Sequence, residues 1–72
     1  MNIYKRIKEL REDSDLTQTA VAKAINISQR SYSYYESGER MISPEILIRL
    51  AKLYNTSVDY ILELTNNPKP YN

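Results

Sequence analysis

Gln29, Arg30, Ser33 and Tyr34 cluster in the middle of the chain, a short way beyond Gln18. Together they offer amide, guanidinium and hydroxyl groups, and no nucleophile stands beside a base. That is recognition chemistry. A glutamine amide matches the donor–acceptor edge of adenine, and an arginine fork matches the two acceptors of guanine; each pair discriminates by ~1–3 kcal/mol. Arg30 has a second use, since a guanidinium on a phosphate gives affinity without sequence choice. Tyr34 lies four residues after Arg30, so on a helix the two share a face. Its ring suits a thymine methyl and its hydroxyl a phosphate; packing on the surface beside Tyr35 is the plainer use. Ser33 supports the same face, whereas Ser31 falls nearer the buried side.

Such residues read bases only when a short helix holds them clear of a core. The stretch LTQTAVAKAINISQRSYSYYESG, from Leu16 to Gly38, predicts that device. Thr17 is an N-cap for a helix beginning at Gln18. Ala20, Val21, Ala24 and Ile25 give that helix a narrow apolar face, with alanines small enough for close approach. Asn26 suits a left-handed C-cap. Ile27 then plugs the core and Ser28 caps a second helix, from about Gln29 to Ser37, which ends at the chain's single glycine, Gly38. Tyr32 and Tyr35, three apart, point inward. Two short helices joined by a tight turn let the second enter a DNA major groove.

The remaining elements supply a body for that pair. Ile3, Ile7 and Leu10 mark one face of a helix from about residue 2 to 13. Ser43 followed by Pro44 starts a fourth helix, whose stripe is Ile46, Leu47, Leu50, Ala51 and Tyr54. Asn55 breaks it, and Ser57 or Thr56 caps a fifth helix holding Val58, Ile61 and Leu62. Residues 65–72, TNNPKPYN, have two prolines and no apolar pattern, and are expected to form a flexible tail. The predicted fold is all-α, a five-helix bundle over residues 1–64, without repeats or strands.

Composition closes off other classes. The 72 residues contain neither histidine nor cysteine, and 10 Lys and Arg against 9 Asp and Glu leave a net charge of +1. Disulfides, thiolate metal sites and the commonest general base are absent. With no glycine-rich loop either, no enzyme, cofactor or metal is expected; Glu12, Asp13 and Asp15 lack the spacing of a cation loop. No apolar run approaches the roughly 20 residues of a membrane span. MNIYKRIKEL lacks the apolar centre of a signal peptide, so a cytoplasmic protein is expected. The charge is weak for a nucleic-acid binder and fits a solvated mixed surface equally well.

With these elements placed, the chain resembles the helix-turn-helix family of Cro/C1-type and xenobiotic-response-element regulators. LTQTAVAKAINIS, YESGER at 35–40 and SPEILIRLAKLYNTSVDYIL at 43–62 carry the resemblance, which spans residues 3 to 62. It departs from the family pattern at Asn26, where glycine is usual, at Tyr32, where a smaller core residue is usual, and at Tyr34, where a long polar side chain is common. The resemblance implies a lambda-repressor-like domain of a bacterium or phage, found with the nucleoid. It makes Gln29, Arg30, Ser33 and Tyr34 base contacts, and Gln18, Thr17, Lys23, Ser37 and Arg40 phosphate contacts. It also implies an ion pair between Arg11 and Glu36 that fixes the orientation of the recognition helix.

One recognition helix reads only about four or five base pairs, so a homodimer on a palindromic duplex is expected, with half-sites about 34 Å apart. Tyr60, Ile61, Leu64 and Tyr71 offer apolar area for the dimer, or else finish the monomer core. No second domain is expected, so a signal acts through concentration, proteolysis or another protein. The functional expectation is a transcriptional repressor. The alternative is an antitoxin or interaction module that acts mainly on a protein partner.

Overall fold

The computed structural model describes residues 3–70, with side chains from Lys5 onward. The Ile3 side chain and Tyr71 lie outside that range. The chain forms α1 (Ile3–Asp13), α2 (Gln18–Ala24), α3 (Gln29–Ser37), α4 (Pro44–Leu53) and α5 (Val58–Ile61).

Four of these helices begin on the same chemistry. The hydroxyls of Thr17, Ser28, Ser43 and Ser57 accept from the backbone N–H of Ala20, Ser31, Ile46 and Tyr60, at 3.0, 3.1, 3.3 and 3.0 Å. Each satisfies an N–H that the helix itself leaves without a partner. The ends are equally regular. Asp15, Asn26, Asn55 and Glu63 take left-handed φ values of 55°, 61°, 52° and 60°. The next residue's N–H then reaches back to close the helix: Leu16 to Arg11, Ile27 to Ala22, Thr56 to Ala51 and Leu64 to Asp59. These are Schellman closures, here made without glycine. Gly38, at φ 83°, ends α3.

The core gathers Ile7 from α1, Val21, Ala22 and Ile25 from α2, Tyr32 from α3, Leu47 and Leu50 from α4 and Ile61 from α5. Tyr32 is fully enclosed, so the interior accepts its larger ring. The expected α2 face is corrected here: Ala20 and Ala24 are exposed, and Ala22 is the buried alanine. Val21 and Ile25 set the buried line, and the third inward position falls on the side where Ala22 receives the closing N–H of Ile27 at 2.9 Å. Of the two uses open to Ile61, it takes the second: it is fully enclosed and completes the monomer core.

Long polar side chains tie the helices where apolar contact ends. Arg49 on α4 donates to the Ile25 carbonyl at 2.9 Å, covering the C-terminal end of α2. Arg6 lies 4.2 Å from the centre of the Tyr60 ring and reaches Glu63 at 3.4 Å, joining α1 to α5. The buried Thr56 hydroxyl donates to the Pro68 carbonyl at 2.6 Å. Among the described residues no helix is long and apolar enough to cross a membrane.

Candidate nucleic-acid interface

Two glutamines open the two helices of the motif: Gln18 is the first residue of α2 and Gln29 the first of α3. Their side chains meet. Gln29 donates its amide N–H to the Gln18 Oε1 at 3.0 Å, and Gln18 donates in turn to the Glu36 Oε1 at 3.2 Å. Glu36 is itself gripped by Arg11, from Nε to Oε2 at 2.7 Å and from Nη2 to Oε1 at 3.2 Å. The third guanidinium nitrogen of Arg11 donates to the Leu16 carbonyl at 3.0 Å. A continuous chain of hydrogen bonds thus runs from α1 through Glu36 near the end of α3 and Gln18 of α2 to the tip of α3, its links to Glu36 charge-assisted.

The carboxylate at the centre of this chain is almost wholly buried, its side chain 5% exposed against 14% for Arg11. Burial alone raises the Glu36 pKa, but Arg11 first, then the nearby Tyr32 hydroxyl and Gln18, outweigh it and hold the group below the ordinary carboxylate value. The hydrogen bond to Glu36 likewise raises Arg11. Burial, followed by the neighbouring Glu36, pushes the Tyr32 hydroxyl far above its usual range. Burial and the Glu36 charge push Tyr54 up to about 12. Neither hydroxyl has a well-formed hydrogen-bond partner among the described residues.

Gln29 is left exposed with its Oε1 and one amide hydrogen free. Those are the two atoms that a bidentate pair with adenine uses. Arg30 donates from Nε to the Tyr34 hydroxyl at 3.0 Å, and Arg40 lies 4.8 Å from the centre of the same ring. Ser33 is half-buried between these side chains and the core-facing Tyr32 in sequence. Ser31 accepts from the Ser28 hydroxyl at 2.9 Å, which turns it toward the interhelical turn.

The remaining candidates differ in what they have to offer. Thr17 uses its oxygen to cap α2 and keeps its hydroxyl hydrogen. Ser37 commits that hydrogen to the Tyr34 carbonyl at 3.2 Å. Lys23 is exposed in the last turn of α2, at the far end from Gln18, and is not joined to either cluster. The fold therefore brings together Arg11, Glu36, Gln18 and Gln29 as one group and Arg30, Tyr34 and Arg40 as another. Spacing within one helix anticipates the Arg30–Tyr34 pair. The bond from Gln18 to Glu36, the stacking of Arg40 and the burial of Tyr54 beside the carboxylate depend on tertiary packing and left no local signal. Among the described residues no group of His, Cys, Asp or Glu is placed to hold a metal ion.

A family model described as helix-turn-helix matches residues 7–61. An uncharacterized HTH-type transcriptional regulator of Bacillus subtilis, YobD, is 41% identical over 66 residues, covering 92% of this chain and 59% of its own length. Antitoxin PezA of Streptococcus pneumoniae is 40% identical over 62 residues, covering 85% of this chain and 39% of its own. The chain spans about half the length of the curated relatives it matches. Among solved structures, the P22 c2 repressor in complex with a synthetic operator superimposes with a TM-score of 0.78 at 28% identity, covering 85% of this chain and 92% of that one.

Proposed function

We propose that this chain, which belongs to the Cro/C1-type helix-turn-helix family of DNA-binding regulators, reads a palindromic operator as a homodimer and represses transcription from it. The observation that carries this reading is Gln29, held by Gln18 with its adenine-matching atoms free. A side chain ordered before binding loses less entropy on contact than one that must be fixed by the base. In this reading α3 lies in the major groove, where Gln29, Arg30, Ser33 and Tyr34 face base edges. Gln18, Thr17, Lys23, Ser37 and Arg40 meet the phosphates on either side. The reading unit spans residues 1–64. Exposed Leu64 belongs to the surface on which two copies meet, and Tyr60, half-covered by Arg6, stands at its margin.

The antitoxin relative supports a second reading, in which the same domain acts mainly by binding a protein partner. Salt dependence separates direct DNA binding from action through a protein alone. Lys23 and Arg40 neutralise phosphate charge in each protomer, so a dimer has a log–log slope of about −4 in binding a duplex. Adding Arg30 as a third phosphate contact steepens it to about −5. Fluorescence anisotropy across a salt series measures this slope directly. A slope near zero from folded protein contradicts the DNA reading and leaves the protein partner.

A further inference from the structure

The outer face of α3 presses two guanidinium groups onto one ring. Arg30 donates from Nε to the Tyr34 hydroxyl at 3.0 Å, with its central carbon 5.9 Å from the ring centre. Arg40 comes to 4.8 Å from that centre, and its backbone N–H donates to the Tyr34 carbonyl at 3.3 Å. Among the described residues neither arginine is paired with a carboxylate. Two like charges converging in this way repel, and the ring face offsets only part of that repulsion. The cluster is electrostatically complete once an anion or an electronegative edge stands beside it.

Resting on the reading of α3 as the DNA-reading helix, we propose that Tyr34 is a positioning residue: its hydroxyl makes Arg30 a reader of guanine, and its ring holds Arg40 for a phosphate. An arginine offers two forks, one from Nε and its neighbouring Nη, the other from the two Nη groups. Tyr34 occupies Nε, so the side-on fork is closed and the end-on fork remains. Its two donors match N7 and O6 of a single guanine. An unrestrained Arg30 has rotamers that reach a phosphate as readily as a base. Tying it along the helix removes that freedom before DNA arrives. Arg40, held over the ring at 4.8 Å from its centre, keeps a planar guanidinium whose donors suit a phosphate.

The test compares wild type, Tyr34→Phe and Tyr34→Leu, each shown folded by its thermal melt. Each is titrated over a salt series with duplexes carrying every base at each half-site position. Wild type is expected to prefer guanine at one position per half-site by about fivefold or more. Tyr34→Phe keeps the ring and loses the hydroxyl, so this preference falls toward parity while the salt slope stays or steepens as the freed Arg30 reaches phosphate. Tyr34→Leu loses both, and its slope is shallower than that of Tyr34→Phe by about 1 per protomer. Guanine preference undiminished in Tyr34→Phe overturns the positioning role, as does a wild-type consensus without that guanine. A folded wild type with no preferred sequence overturns both this inference and the DNA reading beneath it.

Discussion

Glu36 keeps its charge in a place where burial opposes it, and its partners decide the outcome. Removing one member of a buried pair leaves the other uncompensated, which typically costs ~3–5 kcal/mol. Arg11→Met is therefore expected to destabilise the fold by about 3 kcal/mol in denaturant titration, because no cation then faces a carboxylate that is 5% exposed. The pH dependence follows from the depressed Glu36 pKa. A carboxyl held lower in the folded state than in the unfolded chain adds stability above its ordinary value of 4.5, and that stability is lost as pH falls through the folded value. Unfolding curves are expected to be flat from neutral pH down to about 5, then to weaken steadily with acid. In Arg11→Met burial prevails over the remaining contacts, so the folded Glu36 pKa rises above 4.5, acid relieves the buried charge, and the Glu36 share of the acid weakening disappears or reverses. Acid weakening as steep in Arg11→Met as in wild type contradicts the role assigned to Arg11. Tyr54, raised to about 12, behaves oppositely: its contribution is complete below the unfolded phenol's pKa and is lost as pH rises through the folded one.

At the scale of elements, local chemistry was the legible part. Thr17, Ser28, Ser43 and Ser57 are each a short hydroxyl residue three positions before an N–H that needs an acceptor, and that spacing is visible in the sequence. Asn26 and Gly38 announce the ends of α2 and α3 in the same way. Ala20 and Ala24 were misassigned because alanine on both sides of Val21 and Ile25 leaves the apolar stripe of α2 free to rotate in either direction. Arg49 left no signal at all, since its partner is the Ile25 carbonyl, fixed only by packing. Its two bonds differ in weight. The contact with Glu45 is exposed and contributes little, whereas the half-buried bond to a backbone carbonyl is charge-assisted. Glu45→Gln is therefore expected to cost less than ~0.5 kcal/mol and Arg49→Met about 1.5–3 kcal/mol in thermal or denaturant unfolding. Equal losses from the two contradict the capping role. Ser28→Ala is expected to cost about 1 kcal/mol by unhooking the tip of α3, and to weaken DNA binding with it.

At the scale of the molecule, one chain of side chains links stability to reading. Arg11 fixes Glu36, Glu36 fixes Gln18, and Gln18 fixes Gln29, so the helix proposed to carry the base-reading groups is oriented by the same bonds that hold α1 to α3. The proposal that α3 reads bases rests on family membership, the likeness to the P22 c2 repressor and the free edge of Gln29. The most direct measurement is selection of bound duplexes from a random pool, with the Gln29→Ala, Arg30→Ala double variant beside the wild type. The account predicts a palindromic consensus for wild type that degrades at one or two positions in each half-site of the variant. No enrichment from folded wild type at moderate salt, or an identical consensus from the variant, contradicts it.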